Sequence, residues 1–454
     1  MKKQLSFAFV LGLLGVFGFS SRAYAVEVSV ERDANLPLVY FNLATKAGSV
    51  TDPKGQSGLT NFMGEMLLRG TKSHTKEQLD LAIDQLGAHL EVETRAEAMI
   101  FRGAVLATKL DQFLDIVTEM LTQPSFAEVE IKKLKSEVTS GILEELGHDG
   151  SLDARWFSKF LFREHPYGKP TLGTTQDINN LTQAELQAHY DRLIRDKLLL
   201  VVATGDTTVD RIQSWANSLS AARPGAGETL AQIGPPQNAP NRRLLIVDKP
   251  DRTQTQINAG QIGVRMTDKD FFPLYLGNHA FGGGSFSARL MVEIRVKRGW
   301  SYGAESHFRQ GREPRSWQIH LFPAAKDTPA ALAYTLGMVN DLQQKGLTLA
   351  EFEFAKRSLV NSSGFMYNTS KRRVENKLLE RTLDLPDGFM KTYGPELEKV
   401  TLDQVNSSLR TFLKPEKFAI TIVATAKNLK IPLAKAAGMS EDQVQVVPYT
   451  QEDE

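Results

Sequence analysis

Cysteine is absent from all 454 residues, which excludes a disulfide framework, a thiol nucleophile and any zinc or iron–sulfur site held by thiolates. A charge imbalance is absent too: 54 Lys and Arg stand against 53 Asp and Glu, with no block of like charges. Such a chain lacks the electrostatic footprint of a nucleic-acid binder, and no nucleic-acid partner is expected. Histidine is sparse. The eight, His74, His89, His148, His165, His189, His279, His307 and His320, never fall three or four residues apart. No helix therefore offers two imidazoles on one face for a metal, and any ion would have to be held by scattered His, Asp and Glu side chains.

Long apolar runs are also missing, with one exception at the start. Lys2 and Lys3 precede an apolar stretch from Leu5 to Phe19, and Ala23-Tyr24-Ala25 follows. Charged, apolar and small-residue regions in that order make a secretory signal peptide over residues 1–25, and the stretch is short for the roughly 20 apolar residues of a membrane span. Cleavage after Ala25 would turn 54 basic against 53 acidic side chains into 51 against 53, in a mature chain of 429 residues. The expected location is the periplasm, with no membrane association after cleavage. The lack of cysteine is compatible with that oxidising compartment.

The remaining sequence repeats itself. Leu198 to Thr204 (LLLVVAT) matches Ala419 to Thr425 (AITIVAT) 221 residues later, both reading as buried strands that follow helical stretches, Leu181 to Leu193 and Thr401 to Leu413. Glu128-Val-Glu-Ile-Lys-Lys matches Glu351-Phe-Glu-Phe-Ala-Lys at a spacing of 223, each after an amphipathic stretch, Leu110 to Leu121 and Ala331 to Leu342. Phe41-Asn-Leu-Ala and Ile257-Asn-Ala-Gly open strand-like segments 216 apart. Two like domains are expected, over 26–221 and 242–430. Between them a Pro-, Gly- and Ala-rich linker at 222–241 reads as exposed, and a tail at 431–454 reads as a frayed acidic end. Within the first half, helices over Leu59 to Leu68 and Lys76 to Leu86 precede strands around His89 to Thr94 and Met99 to Val105. Clustered strands and segregated helices predict an α+β sandwich in each half. Two such halves form a natural clamshell, with a ligand cleft between them.

The most informative segment is Gly58-Leu-Thr-Asn-Phe-Met-Gly-Glu-Met-Leu-Leu-Arg-Gly-Thr71. Leu59, Phe62, Met63, Met66 and Leu67 fall at helical spacing, giving an amphipathic helix that stops near Gly70. This segment resembles the pitrilysin/insulinase family of zinc peptidases, M16, whose members carry His-x-x-Glu-His in a stretch such as GLAHFLEHMLFKGT. Asn61 stands at the first His position, Gly64 at the general-base Glu and Glu65 at the second His. The family's third ligand is a Glu seven residues after another Glu. Glu144 matches it, with Glu137 upstream and Glu145 as a competitor. No catalytic or metal-binding residue is therefore expected in this chain. An oxygen-ligated hard cation on Asn61, Glu65 and Glu144 remains the open alternative.

Phe281-Gly-Gly-Gly-Ser-Phe-Ser-Ala-Arg-Leu-Met-Val-Glu-Ile-Arg-Val-Lys-Arg-Gly-Trp-Ser-Tyr302 resembles the family's second signature: a glycine-rich loop, a helix with LxxEIR and a turn into a strand. The resemblance assigns the family's substrate-binding pair to Arg295 and Tyr302. A guanidinium fork and a phenol can hold a peptide carbonyl and charge developing on it. From the residues alone, Arg295 could instead pair with Glu293 or Glu305 while Tyr302 packs at a strand start. Gly282 to Gly284 lack the Gly-Lys-Ser/Thr of a phosphate loop and read as a turn with positive φ. His165-Pro-Tyr-Gly-Lys-Pro-Thr-Leu-Gly173 and Asp206 after Gly205 also match family segments, as architecture. The resemblance implies two pseudo-symmetric α+β domains, each a mostly antiparallel sheet with helices on one face, making half of a clamshell chamber. It further implies a zinc-free subunit that offers Arg295 and Tyr302 to a peptide substrate, while a partner of the same family brings the zinc and its motif. A stand-alone peptide-binding or assembly protein, and a metallopeptidase with an atypical metal site, are the competing readings.

Overall fold

The computed structural model describes residues 26–223 and 232–452; the expected signal peptide and residues 224–231 of the expected linker lie outside the described residues. Each half builds one mixed, mainly antiparallel sheet. The first contains β1 (Glu27–Arg32), β2 (Leu38–Thr45), β3 (His89–Thr94), β4 (Met99–Leu106) and β5 (Leu199–Gly205), in the spatial order β1-β5-β2-β4-β3. The second contains β6 (Arg243–Asp248), β7 (Gln256–Ile262), β8 (Ala304–Phe308), β9 (Ser316–Leu321), β10 (Ala419–Ala424) and β11 (Val444–Pro448), in the order β11-β6-β10-β7-β9-β8. Without β11 the two orders are the same. The parallel neighbours are β1 with β5, and β6 with both β10 and β11. Thus the sequence-repeated strands β5 and β10 occupy equivalent places, as do β2 and β7.

Why those strands read as unbroken apolar runs follows from what covers them. In β10, Ile420, Ile422 and Ala424 join the core beneath the second half's own helices, while Ala419 and Val423 face a different core. That other core is made by Leu152, Trp156, Phe157 and Phe160 of the helix Asp149–Phe162, which belongs to the first half. The reverse exchange occurs on the other sheet. Leu199, Val201 and Ala203 of β5 pack under the first half's helices, and Leu200 and Val202 pack with Val374 and Leu378 of the helix Ser370–Thr382. Asp149 and Ser370 are again 221 residues apart. Each sheet is buried on both faces, so alternation of polar and apolar residues disappears from its central strands. The expectation of helices on one face holds for each half's own helices; the opposite half covers the second face.

Polar contacts fix the exchange. Asn258 Nδ2 donates to Asp153 Oδ2 at 2.8 Å, and Lys249 Nζ reaches Asp149 Oδ1 at 2.6 Å and the Gly147 carbonyl at 2.6 Å. Across the other interface, Arg102 Nε donates to Glu375 Oε1 at 3.1 Å, and Arg373 pairs with Glu31 and Asp33. Arg312 Nη2 donates to the carbonyls of Lys46 and Glu97 at 2.9 and 3.0 Å.

One expectation about irregular segments is corrected. The stretch after Lys427 is no frayed end: it forms the helix Ala426–Ala436 and then β11, whose backbone extends the sheet alongside β6 and whose Val444 is buried. The described part of the linker is mostly exposed, as the sequence suggests, and is held to the fold at a few points. Asn238 Oδ1 accepts from the Ile262 amide at 2.8 Å, Ala239 is buried, and His165 Nε2 meets the Gly234 carbonyl at 2.8 Å. Among the described residues no helix is long and apolar enough to cross a membrane.

Asp153 gives this interface a pH signature. Burial pushes its carboxyl from the ordinary 3.8 up to about 7, against the bond from Asn258. Between those values the folded chain holds a proton that the unfolded chain has released. Its stabilising contribution is therefore full below 3.8 and is lost as pH rises through about 7. Asp153→Asn removes the titration. Urea midpoints of the variant and the parent should converge near pH 4 and separate in the variant's favour by pH 8; a gap that instead widens toward acid would contradict the sign.

Candidate functional site: a zinc-type helix without ligands and an exposed guanidinium clamp

The helix Leu59–Leu67 is positioned from its N-terminus. Asp52 accepts from the amides of Gly58 and Thr60 at 2.8 and 2.9 Å and from the Thr60 hydroxyl at 2.5 Å, satisfying donors that a helix start leaves open. Gly58 has φ +89°, and a Cβ there would lie 2.6 Å from the Leu172 carbonyl oxygen, so only glycine fits. Thr60 Oγ1 also meets His189 Nε2 at 2.8 Å, while Arg192 donates to His189 Nδ1 at 3.0 Å. Burial pushes His189 down to about 3, so the ring is neutral, carries its proton on Nε2 and donates to Thr60. This histidine ties the helix to the fold and is not available to a metal.

The three motif positions share that helix, yet they do not make a ligand set. Asn61 is half-buried. Gly64 is buried, and a Cβ at 64 would come within 2.7 Å of Met99 Sδ and 3.1 Å of Val92 Cγ2. The space a general-base side chain would start from is thus occupied by Met99 and Val92. Burial raises Glu65, with Arg69 opposing and Glu137 adding to the effect. Glu137 pairs with Arg69, which also reaches Glu130 at 3.4 Å; an arginine occupies the carboxylates that flank Glu65. Glu144 is exposed on the helix Glu128–Gly147, and its neighbour Glu145 pairs with Arg155 at 3.2 Å. Among the described residues no group of three or more His, Asp or Glu side chains could hold a metal ion, so Glu65 and Glu144 anchor no cation site of that kind. The donor set of the described residues does not fit zinc.

The Arg295 and Tyr302 segment is built differently from its expected plain helix. Two π-helical stretches, His279–Gly283 and Met291–Val296, flank the glycine-rich loop, and such wide turns recur at functional sites. The glycines serve close approach and not positive φ. A Cβ on Gly282 would lie 2.4 Å from Ser306 Oγ and 2.6 Å from Leu290 Cδ1, and one on Gly284 2.7 Å from the His279 carbonyl. None of the three has positive φ.

Arg295 pairs with neither Glu293 nor Glu305. Glu293 accepts from Lys297 at 2.6 Å, Arg298 at 2.7 Å and Tyr334 at 2.9 Å, and these partners, Lys297 foremost, hold its carboxyl down at about 2. Glu305 lies 4.0 Å from His320. The Arg295 guanidinium instead sits over the Tyr302 ring at 4.2 Å and the Phe286 ring at 4.9 Å. Tyr302 is 74% exposed and Phe286 64%, so both rings stand in solvent rather than in the core. With both rings engaged on Arg295, its N–H groups make no hydrogen bond within the described residues. Such a group can donate in plane to a carbonyl or carboxylate. Beside it, a cavity of about 450 Å³ is lined by Asn278, Gly282, Met291, Gly303, Glu305 and His307. Sequence reasoning missed Phe286; its signal was a large aromatic between two serines in a glycine loop, where no core position is available.

Two family models and several known proteins match the chain. The model described as insulinase, peptidase family M16, matches residues 27–175, and that described as peptidase M16 inactive domain matches residues 180–359. A non-peptidase homolog, YmxG, of Helicobacter pylori is 23% identical over 428 residues, covering 92% of this chain and 98% of its own length. An uncharacterized zinc protease of Streptomyces coelicolor is 26% identical over 273 residues, 59% of each chain. Among solved structures, a peptidase M16 inactive domain from Pseudomonas fluorescens has a TM-score of 0.83 at 24% identity, covering 88% of this chain and 96% of that one. The periplasmic protease PqqL of Escherichia coli has a TM-score of 0.73 at 13% identity, covering 92% of this chain and 48% of its own. Both halves fall under models of one family, and the chain belongs to the insulinase family of peptidases, M16, as a member whose sequence contains no His-x-x-Glu-His.

Proposed function

We propose that this chain is the zinc-free subunit of an exported, two-chain metallopeptidase. The observation that carries the reading is Arg295, an arginine with no ion pair among the described residues, set over two exposed rings on a segment that resembles the family's substrate-binding signature. In this role Arg295 donates in plane to a peptide carbonyl and Tyr302 adds its hydroxyl, which fixes the register of an extended peptide. A partner chain of the same family carries His-x-x-Glu-His and its zinc, and with them the activated water. Residues 1–25 direct the chain to the periplasm, and removal after Ala25 leaves Val26 as the first residue.

Four results are expected. The isolated chain does not cleave peptides, whereas a mixture with a zinc-motif partner does; zinc-dependent cleavage by the chain alone would remove the proposal. In that mixture Arg295→Ala and Tyr302→Phe leave the complex assembled but weaken peptide binding by about tenfold or more, measured by fluorescence anisotropy. Mass spectrometry of the exported protein finds Val26 at its N-terminus. Gly64→Ala lowers stability by about 1–3 kcal/mol through overpacking against Met99, and costs less when Met99 is already Ala.

A further inference from the structure

A second group of cations lies where the two halves meet. A cavity of about 280 Å³ is lined by Lys169 and Ser158 from the first half and by Arg309 and Arg315 from the second, with Arg155 nearby. Glu145 is the one carboxylate among the lining residues, and Arg155 already holds it at 3.2 Å. The Arg315 side chain makes no hydrogen bond or ion pair among the described residues, and its Nε is buried without a partner. It stacks on the Tyr167 ring at 5.0 Å. Glu97 acts on it through space, but that carboxylate is engaged by the Tyr167 hydroxyl and by the Arg312 amide at 2.7 Å. Arg309 adds like charge and is itself unpaired among the described residues. Lys169 uses one N–H on the Asp52 carbonyl at 2.6 Å, leaving two.

A buried guanidinium that Glu97 balances only through space, with no acceptor on its Nε, is costly, and a neighbouring unpaired arginine makes it more so. An oxyanion in the cavity would supply both the charge and the missing acceptors, with Arg315 and Arg309 donating from one half and Lys169 and the Ser158 hydroxyl from the other. We propose that this cavity between the halves is an oxyanion-binding site, taking a phosphate or a carboxylate. The site is independent of the peptide clamp. Because its donors come from both halves, an anion bound there ties them together.

Isothermal titration calorimetry of the full chain at constant ionic strength tests the site, with inorganic phosphate in one arm and acetate in the other. Arg295→Ala is present throughout to silence the clamp. The expected result is saturable binding of one anion per chain, weakened about tenfold by Arg315→Gln and by Arg309→Gln. Arg309 is exposed at the end of β8, so its variant remains informative if Arg315→Gln fails to fold. Binding in the phosphate arm alone would assign a free phosphate, and in the acetate arm alone a carboxylate. No saturable binding of either anion, or undiminished affinity in the Arg309 variant, would overturn the proposal.

Discussion

The structure depends on an exchange of helices between its halves. Each sheet has one face covered by its own helices and the other by a helix from the opposite half, Asp149–Phe162 on the second sheet and Ser370–Thr382 on the first. Separating the halves would expose Leu152, Trp156, Phe157 and Phe160 together with the faces of β6 and β10 they cover. At roughly 1.5–3 kcal/mol for each large apolar side chain, that exposure is out of reach for a domain of ordinary stability. The halves therefore hold a defined relation to one another, and the helix at 59–67 and the clamp at 295 and 302 are carried on a single rigid frame.

On that frame the two segments that resemble family signatures are built in opposite ways. The helix at 59–67 is positioned by the Asp52 cap, the glycine at 58 and the link from Thr60 to a neutral His189. Met99 and Val92 fill the space at Gly64, and Arg69 neutralises the acidic side chains nearby. In the second half the acidic residue closest in sequence to Arg295 is taken by Lys297, Arg298 and Tyr334, which leaves the guanidinium to its two rings. An architecture without a ligand set on one side, and a donor left to two rings on the other, is what the proposed zinc-free subunit would use.

Much of this was legible in the sequence, and the exceptions have physical causes. LLLVVAT and AITIVAT announced buried strands, and their spacing of 221 residues announced the repeat. What the sequence did not show was that the second face is covered by the other half, because a 14-residue amphipathic helix reads the same whichever sheet it packs on. The glycine run at 282–284 was misread as a turn with positive φ, since a glycine required by a close neighbour looks identical to one required by its backbone angles. The π-helical stretch around Arg295 leaves no mark on apolar periodicity over six residues. Strand β11 was hidden among polar residues because an edge strand buries only part of one face, here Val444.

The central claim is that this chain contributes a peptide clamp and no metal to a shared peptidase. It is tested most directly by the zinc content of the purified mature chain after exhaustive dialysis, measured by inductively coupled plasma mass spectrometry alone and in complex with a zinc-motif partner. The account predicts no retained zinc in the isolated chain and one zinc per heterodimer; one zinc per isolated chain would contradict it.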